Sequence, residues 1–247
     1  MSNSLERREI LWSMNETLTV IPVINLAFAF APVGAVAFVL WRWSAGSGAA
    51  IYATARMIVQ LALIGYVLTY VFETDSAGIV IAVLAIMLGA SSWIALRPLE
   101  SHGRGLYLKT FLAIAIGGVF TLAIVTIGVL RLDPWFAPRT AIPIAGMIFS
   151  SAMNTVSLAA ERFEAERRNA VSYELARKRA LETALIPMVN VFLAVGLVSL
   201  PGMMTGQILS GVEPQIAVRY QIMVMCMTFG AAGIAAIAYL LFMKPHE

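Results

Sequence analysis

Arg56 and Gln60 stand four residues apart in IYATARMIVQLALIGYVLTYVF, a stretch that is otherwise almost wholly apolar. That spacing puts both on one face of a helix. An arginine at the centre of a bilayer costs about 2.5–3.5 kcal/mol on insertion scales, so it calls for a partner, a wet interior or the headgroup layer. Arg56 lies about a turn and a half into the stretch at 3.6 residues per turn, which leaves two readings open. It is an interior group beside a solute route, or an anchor that snorkels to the headgroups.

A second chemically suggestive run is GLVSLPGMMTGQILSGVEP, from Gly196 to Pro214, where Pro201, Gly202, Gly206 and Gly211 interrupt apolar sequence. Such residues break helices and free backbone groups that protein or water must satisfy. The break suits a gate or cavity wall, and it also suits an ordinary external turn. Methionines gather at Met147, Met153, Met188, Met203, Met204, Met223, Met225, Met227 and Met243. Thioethers ligate soft metals, although methionine more often fills irregular gaps between helices. His102 and His246 stand in loop or terminal positions, no His, Cys or carboxylate cluster has metal-ligand spacing, and no metal is assigned. The lone Cys226 reads as a small packing residue and supports no disulfide framework.

Catalytic signatures are missing. GRGLYLKT, Gly103 to Thr110, ends in Lys-Thr like a phosphate loop, but Leu108 stands where the second glycine is required. The chain is therefore not expected to bind nucleotide or to act as an enzyme, and any ATP hydrolysis belongs to another polypeptide.

The elements that must position these residues follow from composition. Hydrophobic residues make up 60% of the 247 positions and charged residues 13%, with a mean hydropathy of +0.84. A bilayer core needs about 20 apolar residues per helical crossing. Seven candidates result: Leu18 to Trp41, Ile51 to Phe72, Ala77 to Leu96, Leu108 to Leu130, Ala141 to Ala160, Thr183 to Leu200 and Gln215 to Met243. The expected fold is all-α and polytopic, a single transmembrane domain over 1–247. The fifth segment holds Pro143, Ser150, Ser151 and Asn154, so it is a full span or a broken, re-entrant helix; the sixth is short and holds Pro187 and Asn190. The first apolar run, 24 residues after the polar Met1 to Thr17, exceeds the 7–15 of a signal-peptide core and reads as a retained span.

Cations in short loops set orientation. One side carries Arg42, Arg97, Arg104, Lys109, Arg162, Arg167, Arg168, Arg177, Lys178, Arg179 and Lys244; the other carries Arg7, Arg8, Arg131, Arg139 and Arg219, with an acidic loop at Glu73 and Asp75. With seven crossings this places the N-terminus outside and the C-terminus in the cytoplasm. ERFEAERRNAVSYELARKRALE, Glu161 to Glu182, lacks Gly and Pro and has opposite charges three or four apart. It is expected to be one uninterrupted helix reaching into the cytoplasm, either a solvated connector or a docking surface built on Arg167, Arg168, Arg177, Lys178 and Arg179.

Three ordered segments resemble one family. These are ALIPMVNVFLAVGLVSLPGMMTGQILSGVEPQIAVRYQIMVMCM (Ala184 to Met227), with its LVSLPGMM core and the following Tyr220-Gln221; AIPIAGMI (Ala141 to Ile148); and Arg56 with VQLALIGYVLTYVF (Val59 to Phe72). Together they are similar to the FetB-type (UPF0014) permeases of bacterial ABC transporters, described as iron exporters, a family that includes plant aluminium-tolerance membrane proteins. The resemblance implies a permease of the bacterial plasma membrane. It implies pairing with a separate ATP-binding subunit that holds the ATP, two copies of each, and outward movement of a metal ion or small solute. No cofactor in this chain and no nucleic acid are implied. On this reading Arg56, Gln60, Asn154, Asn190, Pro201, Gly202, Met203, Met204, Tyr220 and Gln221 line or gate the route.

The charged stretch is shorter than that family leads one to expect, which keeps a second function open: a membrane scaffold or sensor that binds a partner without transport. An ion-driven carrier would want a buried carboxylate for its coupling proton, and spans one to four hold none.

Overall fold

The computed structural model describes residues 21–44, 47–74, 76–99 and 103–244. Met1 to Thr17 with Arg7 and Arg8, the start of the first expected span at Leu18, and Asp75, His102 and His246 lie outside the described residues. The chain divides into two compact units, Met1–Glu73 with Leu209–Gly211 and Thr74–Ile208 with Val212–Glu247.

The first unit holds α1 (Val23–Phe28), α2 (Phe30–Arg42) and α3 (Ser47–Phe72). Only Ala29 separates α1 from α2, and α2 packs against α3. No residue of α1 or α2 is buried, and the exposed side chains are apolar: Ile24, Phe28, Val36, Phe38 and Trp41 on this pair, Leu61, Leu63 and Tyr66 on α3. Water would not tolerate such faces, whereas lipid tails are an apolar solvent for them.

The second unit is a bundle of α4 (Ala77–Ala95), α5 (Arg104–Ala123), α6 (Pro138–Arg168), α7 (Tyr173–Ala194), the short α8 (Gly202–Leu209) and α9 (Pro214–Phe242). Pro138 and Pro214 each open a helix at the first helical position, where a missing N–H costs nothing. After Ala123, α5 widens into a π-helical segment, Ile124–Val129. Among the described residues six helices are long and apolar enough to cross a membrane: Val23–Arg42, Gly48–Phe72, Ala77–Ala95, Arg104–Val129, Pro138–Arg168 and Pro214–Phe242. The protein is an all-α, multi-pass membrane protein.

The core of the bundle is made by close approach rather than by bulk. Ala231, Ala232, Ala235 and Ala236 of α9 are fully buried. A Cβ on Gly117 of α5 would stand 2.5 Å from the Ala231 carbonyl oxygen and 2.8 Å from the Ala235 nitrogen. Between helices in lipid there is little hydrophobic drive, so small residues that let backbones touch gain dispersion contacts instead. On the next face, a Cβ on Gly118 would meet the Phe149 ring of α6 at 2.6 Å. Buried hydroxyls donate to carbonyls of their own helix: Ser91 and Ser92 to Leu88, Thr110 to Leu106, Thr126 to Leu122 and Thr228 to Val224.

One open alternative is resolved and two expectations change. The fifth segment is the unbroken alternative: α6 runs for 31 residues and accommodates Pro143 in its second turn, at the loss of one intrahelical bond. Glu161 to Glu182 is not one helix. Helix α6 ends at Arg168, Ala170 takes a left-handed φ of 58°, and α7 begins at Tyr173. Folding back lets α6 and α7 pack along each other, with Phe163 edge-on to Tyr173 at 6.0 Å, and that packing outweighs the helical preference of the intervening residues. The sixth expected span, Thr183 to Leu200, is helical only to Ala194 and then turns sharply, so it is not among the six long helices.

Replacing Gly117 by Ala is expected to destabilise the bundle by about 1–3 kcal/mol, since backbone must move. Gly230, whose added Cβ meets nothing within 4 Å, should tolerate Ala or gain from it. Thermal unfolding of both variants in detergent, followed by tryptophan fluorescence, checks the pair.

Candidate functional site

At one end of α7 the chain makes a hook. Gly196, at φ 80°, donates its N–H to the Ser199 carbonyl at 3.0 Å, and the chain re-enters helix at Gly202 behind Pro201. The positive φ is one that glycine adopts without strain. The hook, the end of α7, the start of α8 and the first half of α9 line an open cavity of about 340 Å³. Phe192, Val195 and Gly196 form one wall, Leu200, Pro201 and Met204 a second, and Val218, Gln221, Ile222, Met225 and Cys226 the third. The α9 residues recur at intervals of three and four, one face of a helix. Phe192 also stacks against Phe229 of α9, with ring centroids 5.0 Å apart, bracing the wall.

Gln221 is 6% exposed, and its Oε1 has no hydrogen-bond partner among the described residues. An orphaned buried amide oxygen costs about 1–3 kcal/mol. The buried Ser and Thr hydroxyls named above are satisfied on their own helices, whereas this acceptor is left unpaired in a residue that lines a cavity otherwise walled by sulfur-bearing and hydrocarbon side chains.

The expected route residues separate. Pro201, Met204 and Gln221 come together around the cavity. Gly202 opens α8 beside it, and Met203 is half-buried against the core of the bundle. Tyr220 is exposed beside Gln221, and Asn154 and Asn190 are exposed on α6 and α7. Arg56 is half-buried and Gln60 exposed on α3, within the first unit. Phe192, Met225 and Cys226 were missed as wall residues. The available signal was their spacing: Met225 and Cys226 stand four and five positions after Gln221.

At the other end of α7 lies the turn, 169–172. Its outer face carries Arg167 and Arg168, both exposed, followed by half-buried Arg177 and exposed Lys178 and Arg179 on α7. Its inner side is tied down by Glu166, whose side chain is only 7% exposed and is paired with Arg162 and, at 2.9 Å, with Arg179. Arg167 Nη1 donates to the Val171 carbonyl at 2.8 Å and Asn169 Nδ2 to the Ala165 carbonyl at 3.0 Å. The Tyr173 hydroxyl donates to the Leu240 carbonyl at 2.8 Å, pinning the start of α7 to the end of α9. Beside it a cleft of about 550 Å³ is lined by Glu174, Arg177 and Lys178 on one rim and Leu181, Ile237, Leu240 and Leu241 below. Arg179 therefore helps to shape the turn through buried Glu166, while Arg167, Arg168 and Lys178 are exposed, Lys178 standing 3.9 Å from Glu182. Asn169 and Ser172, types favoured at helix ends, were the legible signs of this turn.

Residues 23–246 match the family described as "Uncharacterised protein family (UPF0014)". A UPF0014 membrane protein of Synechocystis sp. is 32% identical over 233 residues, covering 86% of this chain and 90% of that protein. The "Probable iron export permease protein FetB" of Escherichia coli is 34% identical, covering 78% and 80% respectively. The "Protein ALUMINUM SENSITIVE 3" of Arabidopsis thaliana is 33% identical, covering 77% and 74%. No solved structure matches.

Removing the anchor of the turn should loosen it, because Glu166→Ala deletes the pairings with both Arg162 and Arg179. Amide hydrogen exchange at 169–172 should accelerate while exchange in the apolar half of α6 stays unchanged.

Proposed function

Because the chain belongs to the UPF0014 family, we propose that it is the membrane-spanning permease subunit of an ABC-type exporter that moves a metal ion and is energised by a separate ATP-binding subunit. The observation that carries this reading is the interrupted pair α7 and α8, closing on a cavity with a buried, unpartnered amide. Transporters place substrate sites at discontinuous helices, because freed backbone in a membrane is tolerable only where it lines a cavity. The name of the E. coli relative supports a metal as cargo.

On this reading the sixth crossing is made in two pieces. The apolar end of α7, Ala184 to Ala194, covers about 16 Å at 1.5 Å per residue, and α8 about 12 Å, together near the thickness of about 30 Å of a bilayer core. Seven crossings result, with the N-terminus outside and the cationic loops, the 169–172 turn and Lys244 in the cytoplasm of the bacterial plasma membrane. The turn and the cleft beside it dock the ATP-binding subunit. Arg167, Arg168, Arg177 and Lys178 meet its surface, Arg179 shapes the turn through Glu166, and two permeases pair with two ATPases. Arg56, Gln60, Asn154, Asn190, Gly202, Met203 and Tyr220 are the remaining residues of the route.

Co-reconstitution with the ATP-binding subunits of the same genome tests the reading. The expected outcome is ATP-dependent metal movement across the vesicle membrane that the permease alone does not support. The triple variant Arg167→Glu, Arg168→Glu, Lys178→Glu should lose both co-purification and about nine-tenths of the flux, a deficit of about 1.4 kcal/mol. Stable association of an ATPase without flux would favour the scaffold or sensor function instead. For Arg56, Lys is expected to preserve flux and Gln to lower it about tenfold; full flux with both would identify a snorkelling anchor.

A further inference from the structure

The walls of the cavity at the hook contain three divalent sulfurs and one amide, with no carboxylate, imidazole or cationic side chain. Met204 comes from α8, Met225 and Cys226 from α9, and Gln221 supplies the buried Oε1 that lacks a partner. We propose that this cavity binds a soft monovalent cation, Cu(I) or its redox-silent analogue Ag(I), through the sulfurs of Met204, Met225 and Cys226 with Gln221 Oε1 as a weak fourth ligand. The proposal rests on the permease reading for what becomes of the bound ion, not for its binding.

Ligand type argues for this class. Thiolate and thioether sulfur select Cu(I), while hard cations take carboxylate, carbonyl and water oxygens. Among the described residues no three His, Cys, Asp or Glu side chains converge on a metal-sized site, and the donors this wall offers are sulfur and one amide. An amide oxygen is a recognised weak axial ligand in copper–thiolate sites.

Charge argues for the oxidation state. Binding releases the Cys226 thiol proton to solvent and leaves a thiolate. One thiolate, two neutral thioethers and an amide around a +1 ion sum to zero, whereas a divalent ion would leave a net positive charge in apolar surroundings, which is costly. No electron is transferred. The cavity is larger than an ion, and the unbranched Met204 and Met225 side chains, each with several rotatable bonds, can close onto it. Cys226 is exposed at the cavity, so the thiol is open to an arriving ion.

Cys226 is the sole cysteine of the chain, so N-ethylmaleimide modification of the purified full-length protein, read by intact mass, reports on this site alone. Ag(I), or Cu(I) kept reduced with ascorbate, is expected to block modification, and Fe(II) and Mn(II) at the same concentrations are not. The volume-conserving variant Met204→Leu, Met225→Leu should need at least about tenfold more Ag(I) for the same protection, and Gln221→Leu a smaller excess. An unshifted curve in the double variant would mean a lone thiol taking silver, and equal protection by Fe(II) would mean a hard-cation site; either overturns the proposal. X-ray absorption on the Cu(I)-loaded wild type avoids any folding defect: three sulfur neighbours are expected, and one overturns it. Both readouts use the permease alone, so their failure leaves ATP-driven flux untouched, and a failure of flux leaves the site standing.

Discussion

Helix α5 touches α9 backbone to backbone at Gly117, and the bundle depends on that approach. Between helices already solvated by lipid, side-chain burial contributes little, and stability comes from dispersion between surfaces that fit. The alanines at 231, 232, 235 and 236 make α9 thin enough to sit against both α5 and α6. Any side chain at position 117 would push α9 outward and disturb everything hung on it.

Helix α9 is divided along its length. Residues 231–240 are spent on the core, and residues 218–226 form the wall of the cavity. A rigidly packed half thus positions a half that faces open space, which is how a bundle holds a binding surface still without filling it. Gln221 lies at the changeover, buried like a core residue yet without the hydrogen bond that buried residues normally make.

Helix α7 carries the two chemically distinct regions of the second unit at its two ends. Its start is pinned by Tyr173 to Leu240 and bears the charged turn; its finish is braced by Phe192 against Phe229 and opens into the hook. The charges at one end and the soft, apolar wall at the other therefore share a single stiff element. The Glu166 pairings keep the turn in one shape, and the exposed cations are displayed from that shape rather than from a frayed helix end.

Much of this was legible in the residues alone. A chain that is 60% hydrophobic, with Arg56 the exception among cations that otherwise lie at or beyond the ends of its apolar runs, has no stable arrangement in water, and runs of about 20 apolar residues can satisfy their backbone in lipid only as helices. The helical type and the break at Pro201-Gly202 follow from that local physics, whereas the number of long crossings does not, because the sixth expected span is helical only to Ala194. The turn at 169–172 was marked only weakly, by Asn169 and Ser172, because no Gly or Pro stands there and the left-handed Ala170 accompanies the contact that α6 and α7 gain by folding back. The membership of the cavity was not legible: which residues of α7, α8 and α9 line it together depends on where the chain lands after the hook, a packing outcome between segments that no spacing within any one of them encodes.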